Sequence, residues 1–130
     1  MNKWIFLSGA VAVALGAFGA HALRPLLTEK LQHTFETAIH YHFYHTLALM
    51  FVLLFERRNA SVILRASKMF FFVGIFLFSG SLYTMVFMNV AAISGSHFAG
   101  MITPLGGLSF IIGWSLLFYY FLMQKKVQAD

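Results

Sequence analysis

Four long apolar runs, each without a charged side chain, divide this chain of 130 residues. They cover residues 4–23, 37–55, 69–93 and 101–123. Each is close to or above the roughly 20 residues that a helix needs to cross about 30 Å of hydrocarbon. Lipid offers no hydrogen-bond partner to an unpaired backbone, so such runs form helices rather than open strands. The sequence therefore predicts an all-α protein, a transmembrane four-helix bundle.

The overall composition agrees with this class. Hydrophobic residues make up 60% of the chain and charged residues 10%, whereas a soluble domain is about 25% charged. So few charges cannot cover a water-soluble surface, and the length suits one integral membrane domain over residues 1–130. The absence of cysteine removes disulfides, thiol catalysis and thiolate metal ligands.

The distribution of positive charge predicts how the chain lies in the membrane. The basic residues at the amino terminus, between the second and third runs, and at the carboxyl terminus are Lys3, Arg57, Arg58, Arg65, Lys68, Lys125 and Lys126. With four spans all of these lie on one side, and the positive-inside rule places that side, with both termini, in the cytoplasm. The net charge of +5 then reflects membrane orientation, and nucleic acid is not an expected partner.

The first run has an alternative interpretation. Lys3, the apolar stretch and the small-residue site Ala20-His21-Ala22 also resemble a secretory signal peptide. Removal of such a leader would leave three spans.

The segment HYHFYHT, residues 40–46, contains three histidines, and histidine is a residue type that binds metals and transfers protons. A helix that begins near Thr28, a suitable N-cap, turns 100° per residue and separates the three histidines. His40 shares a polar face with Glu36, whereas His42 and His45 continue an apolar stripe. We expect His42 and His45 to point into the bundle. We expect the same of His21, which continues a row formed by Ala10, Ala14 and Ala17.

Ionisable residues inside a membrane are functional candidates by default. If His21, His42 and His45 meet at the outer end of the bundle, they form a candidate metal site, joined by His97 or by the thioethers of Met88 and Met101. Imidazole suits zinc or copper, and thioether sulfur favours copper(I). A haem with two histidine ligands and a proton relay are alternatives. The remaining alternative is that the histidines hydrogen-bond across helices to Ser81, Tyr83, Thr84, Asn89 or backbone carbonyls and so fix the packing.

Small residues predict where the helices approach one another. Small residues recur at helical spacing on three of the runs, and such residues allow close backbone contact in membranes. They include Gly16 and Gly19 on the first run, Ser81 on the third and Gly106 on the fourth. Thr103-Pro104 fits a helix start, because proline is tolerated in the first turn.

Four stretches together resemble a known family. They are VALGAFGAHAL (13–23), TAIHYHFYHTLAL (37–49), LFSGSLY (77–83) and ITPLGGLSFIIGW (102–114). They are similar to small inner-membrane proteins of the YgdD type, also called UPF0382 or domain of unknown function 423, which include human transmembrane protein 256. The resemblance covers nearly the whole chain. It implies a bacterial inner-membrane protein with four helices, and it supplies no catalytic residue. It adds Tyr83, Thr103, Pro104 and Gly107 to the expected bundle-facing set.

No nucleophile–base pair, phosphate-binding loop or pair of intramembrane carboxylates is present in the sequence, so we do not expect an enzyme. The favoured function is helix packing with a second copy or a partner subunit in the lipid bilayer. Metal binding or handling, of zinc or copper, is the first alternative, and a small transporter or channel is the second. No cofactor is predicted beyond that possible metal.

Overall fold

The computed structural model describes residues 2–127, and its description of side chains omits residues 2, 97 and 125–127. Predictions that involve the side chains of His97, Lys125 and Lys126 therefore lie outside the described residues. The helices are α1 (Asn2–Phe18), α2 (Glu29–Arg58), α3 (Val62–Gly74), α4 (Gly80–Val90) and α5 (Ser96–Val127). A π-helical turn at Gly19–Leu23 and a 3-10 turn at Arg24–Leu26 extend α1, and a second π-helical turn at Ile75–Ser79 joins α3 to α4.

Four helical segments among the described residues are long and apolar enough to cross a membrane. They are Lys3–Leu26, Glu29–Arg58, Val62–Val90 and Phe98–Gln124, and we refer to them as the first to fourth spans. The predicted all-α architecture with four spans is confirmed.

Capping groups set the starts of α2 and α3, and α3 begins earlier than the apolar run predicted. Thr28 is the predicted N-cap of α2, and its side chain accepts a bond from the Leu31 N–H at 3.4 Å. Ser61 caps α3 in the same manner, through the Ile63 N–H at 3.2 Å. Arg65 and Lys68, expected in a loop, therefore lie within α3.

The predicted start of the fourth helix is wrong. Helix α5 begins at Ser96, so Pro104 lies inside it. A proline inside a helix removes one backbone hydrogen bond, but membrane helices tolerate this where neighbouring helices and local adjustment satisfy the freed carbonyl. The predicted run began at residue 101, whereas the helix already includes Phe98 and Ala99.

The third and fourth spans pack against each other through glycines. A methyl group placed on Gly106 would overlap the backbone of Phe78, and one on Gly113 would lie 2.8 Å from the ring of Phe71. Ser81 Oγ and Thr103 Oγ1 lie 2.8 Å apart across the same interface. The predicted small-residue contact between these spans is thus observed, and it follows the expectation that glycine permits close helix approach.

Hydroxyl groups add to this interface. Ser67 donates to the Gly113 carbonyl at 2.8 Å, and Ser109 donates to the Phe70 carbonyl at 2.8 Å. Such bonds satisfy serine hydroxyls that have no water to bind inside the bundle.

The first span packs on the second through its own small residues. Gly9 faces Thr46, Gly16 faces Ile39, and a methyl group on Gly19 would overlap the ring of Phe35. The first span is nevertheless the least enclosed: 11% of its most apolar stretch is buried inside the protein, against 44% for the second span. The second span is therefore the centre of the bundle, and the first span lies at its edge.

An ion pair joins α2 to α3 near one end of the bundle. The Lys68 ammonium donates to the Glu56 carboxylate, and the Lys68 side chain is only 4% exposed. Glu56 has the basic neighbours Arg57 and Arg58 in the sequence, but its carboxylate pairs with Lys68, which faces α2 from the second turn of α3.

Candidate functional site

Two of the three histidines of the HYHFYHT segment are buried near the middle of the second span. His42 and His45 are each 6% exposed, whereas His40 is exposed and stacks on Tyr44 with ring centroids 5.9 Å apart. The predicted division of these histidines by helical phase is confirmed.

His42 links three helices. Its Nε2 lies 2.9 Å from Ser8 Oγ on α1, and its Nδ1 lies 3.3 Å from Tyr83 Oη on α4. Ser8 Oγ also lies 3.0 Å from Thr46 Oγ1, and Thr46 donates to the His42 carbonyl at 2.9 Å. The result is a chain of four polar groups in an apolar interior.

Counting protons fixes the direction of these bonds. Each hydroxyl has one proton, and Thr46 uses its proton on the His42 carbonyl, so Thr46 must accept from Ser8. Ser8 has then spent its proton and must accept from Nε2–H of His42. In the neutral imidazole, Nδ1 accepts from Tyr83. All protons of this set are used within the protein, and the spare capacity of Ser8 and Tyr83 is for accepting hydrogen bonds.

His45 joins the second span to the fourth. Its Nδ1 lies 2.8 Å from the Tyr41 carbonyl, which can only accept, and its Nε2 lies 3.3 Å from the Trp114 indole N–H, which can only donate. His45 is therefore neutral with its proton on Nδ1. Its ring stacks on Phe110 with centroids 3.5 Å apart and an interplanar angle of 11°.

The structure does not bring His21 to the other two histidines. His21 lies exposed in the π-helical turn after α1, and the neighbouring Gly19 already faces Phe35, about two helical turns from His42. Among the described side chains there is no group of three or more His, Asp or Glu residues that could hold a metal ion. Metal binding by His21, His42 or His45 stays a prediction, and at His42 and His45 it would have to displace the bonds given above.

Most of the other predicted bundle-facing residues lie at helix contacts. These are Gly16, Gly19, Ser81, Tyr83, Thr103, Gly106 and Gly107. Pro104 is the exception, since its side chain is exposed. It follows Thr103 by one residue, and a step of 100° turns it away from the face that contacts Ser81.

Three residues of this site were not anticipated. Ser8 and Thr46 complete the His42 chain, and Trp114 binds His45. Ser8 is the only hydroxyl side chain in the first apolar run, which is the signal that could have identified it. Trp114 gave no such signal, because a tryptophan in an apolar run is equally suited to lipid.

A groove adjoins His42 where the first span separates from the third. It encloses about 300 Å³, and its floor carries Ser8, His42 and Tyr83. The walls are formed by Trp4, Leu7, Val11 and Leu15 of α1 and by Phe72, Ile75, Phe76 and Gly80 of the third span. Several wall residues are largely exposed, such as Phe76 at 68%. The groove is therefore open on the side that faces lipid.

Comparison with known proteins decides the family. The family described as "Protein of unknown function (DUF423)" matches residues 15–107. A "UPF0382 membrane protein" of Haemophilus influenzae is 40% identical over 121 residues, which covers 91% of this chain and 92% of the relative. The chain belongs to the UPF0382 membrane protein family.

Other UPF0382 relatives also match most of this chain. YwdK of Bacillus subtilis is 39% identical, with 85% of this chain and 86% of the relative covered. The "UPF0382 inner membrane protein YgdD" of Escherichia coli K12 is 37% identical, with 85% and 80% covered. No solved structure shows significant similarity. With its four spans, this UPF0382 protein is a multi-pass inner membrane protein.

Proposed function

We propose that this UPF0382 protein is a non-enzymatic membrane protein that acts by lateral helix packing, with a second copy of itself or with a partner subunit. The first span is the docking element. The observation that carries the proposal is the incomplete enclosure of this span, of which only 11% is buried in its most apolar stretch.

The outward face of the first span includes a row of small residues. Ala10, Ala14 and Ala17 lie in one row, and all three are exposed. The sequence had suggested that this row faces the bundle, but Gly9 and Gly16 occupy that contact. Helices associate in membranes through rows of small residues, because these let the backbones come close. A neighbouring helix placed on this row would increase the enclosure of the first span.

The proposed orientation has both termini and the short connection between α2 and α3 in the cytoplasm. Its support is the basic cluster at that end, which includes Arg57, Arg58 and Arg65. Single cysteines provide the test, since the chain has none. An impermeant thiol reagent added to spheroplasts should label Ser94→Cys and not Asn59→Cys. The reverse pattern would contradict the orientation.

Cysteine cross-linking tests the docking helix. In native membranes, Ala14→Cys should give a disulfide-linked dimer, or a linked pair with one reproducible partner, after mild oxidation. Ile111→Cys is the matched control, because Ile111 is 63% exposed on the fourth span and should give neither product. Ala14→Phe, which fills the row, should weaken association measured by energy transfer between labelled copies. A monomer at every protein density, with no linked product at Ala14, would contradict the proposal.

The metal-handling and transport alternatives stay predictions. Zinc or copper bound to the purified protein, and lost in His42→Ala or His45→Ala, would favour the first of them. Solute flux through reconstituted liposomes would favour the second.

A further inference from the structure

We propose that the groove between the first and third spans is a binding site for a neutral lipid that carries a hydroxyl group, with its apolar chain along the groove walls and its O–H donated to the floor. This site is distinct from the proposed docking row, although Ala14 borders both. The groove uses Leu7, Val11 and Leu15 of α1, whereas Ala10 and Ala17 lie on another face of that helix.

The position of the groove selects a membrane component as its occupant. It lies between two membrane spans, opens toward lipid, and has a volume of about 300 Å³, at the lower end of the range for ligand pockets. Its floor is near the middle of the bundle, since His42 is 13 residues from Glu29 and 16 from Arg58 along α2. A ligand must therefore be soluble in hydrocarbon to reach it.

The charge of the lining selects a neutral head group. None of the described residues that line the groove is Lys, Arg, Asp or Glu. A phosphate or a carboxylate would be buried without a cation to pair with, and an unpaired buried charge is very costly. The binding site therefore suits an uncharged lipid rather than a phospholipid head group or an ionised fatty acid.

The hydrogen bonds at the groove floor favour a ligand that donates a hydrogen bond. The protons of Tyr83, His42, Ser8 and Thr46 are all committed within the protein. Tyr83 Oη and Ser8 Oγ keep free lone pairs, and both residues line the groove. A hydroxyl can donate to either of them, whereas an ester or ether oxygen would meet only other acceptors. Ser8 and Tyr83 are partly buried, and their hydrogen bonds to His42, which is 6% exposed, hold both acceptors in place.

The test uses two matched probes in nanodiscs of phosphatidylcholine. One is octadecanol with a diazirine in mid-chain, and the other is its methyl ether, which cannot donate. After illumination, peptide mass spectrometry locates the adducts. The alcohol should label the segments 7–15 and 72–83 in a saturable manner, with competition by unlabelled octadecanol. We expect its apparent affinity to exceed that of the ether about fivefold, which corresponds to one hydrogen bond of about 1 kcal/mol.

Two variants that fill the groove test its location. Gly80→Leu introduces a side chain where the nearest atom to its Cβ is 3.9 Å away, and Val11→Trp fills the groove from the opposite wall. Each should abolish the saturable labelling. Ala17→Leu, at an exposed position on another face of α1, is the control and should leave it unchanged. Circular dichroism and size-exclusion profiles confirm folding for each variant.

The outcomes separate the two parts of the proposal. Equal saturable labelling by the alcohol and the ether would overturn recognition of the hydroxyl. Labelling that does not saturate, or that survives in folded Gly80→Leu or Val11→Trp, would overturn the binding site. Neither result depends on whether the protein forms dimers, because nanodiscs with a single copy suffice.

Discussion

His42 and His45 lie one helical turn apart on α2, and their partners require opposite tautomers. His42 carries its proton on Nε2, toward Ser8, and His45 carries its proton on Nδ1, toward the Tyr41 carbonyl. Through these rings the second span is bonded to the first, third and fourth spans. The two buried histidines thus join all four spans of the bundle, and both ring nitrogens of each are occupied.

Removal of the Trp114 indole N–H tests the His45 link. Trp114→Phe leaves Nε2 of His45 without its donor, and should lower the free energy of unfolding by about 0.5–2 kcal/mol, the range for hydrogen bonds within membrane bundles. Unfolding by SDS in mixed micelles measures the change. Trp4→Phe is the control, since Trp4 is 52% exposed on the first span. An equal effect of both substitutions would show that the indole contributes only apolar contact.

Two neighbouring glycines should differ in their tolerance of alanine. A methyl group on Gly106 would meet the backbone of Phe78, which cannot move aside without separating two spans, whereas one on Gly107 would lie 3.8 Å from the Phe78 ring. Gly106→Ala should destabilise the protein by about 1–3 kcal/mol. Gly107→Ala should be neutral or stabilising by up to about 1 kcal/mol, because alanine favours the helix. Similar stabilities for the two variants would contradict the observed approach of the third and fourth spans.

The buried ion pair should show strong coupling. Lys68→Met removes the cation and leaves the Glu56 carboxylate, which is 18% exposed, without a partner. We expect a loss of about 3 kcal/mol. The double variant Glu56→Gln, Lys68→Met should recover at least about 1 kcal/mol of this, because no buried charge remains. Additive effects in this double-mutant cycle would indicate that the two side chains do not form a pair in the membrane.

The sequence predicted much of the fold from physical constraints that act locally. Lipid forces apolar runs into helices, and capping chemistry placed Thr28 at the start of α2. Helical phase also separated His40 from His42 and His45, because all three lie on one rigid element. Gly106 and Ser81 were found in the same way, since small and polar residues in a span mark its protein-facing side.

The partners across helices could not be predicted from phase alone. The expectation that His21 meets His42 depended on the vertical register between α1 and α2. The contacts of Gly16 with Ile39 and of Gly19 with Phe35 set that register, and they leave His21 near one end of the second span while Ser8 reaches His42. Pro104 was misplaced for a different reason: proline suits the first turn of a helix, but α5 begins earlier, at Ser96.

Nitrogen-15 NMR of histidine side chains in lipid bilayers tests most directly whether His42 and His45 act as links between helices. We expect two neutral rings of opposite tautomer, with His42 protonated on Nε2 and His45 on Nδ1, and with signals that do not change when one equivalent of zinc is added. His45→Leu and His42→Leu assign the signals. A shared tautomer, or a loss of both signals with zinc, would contradict this expectation and return these histidines to the role of metal ligands.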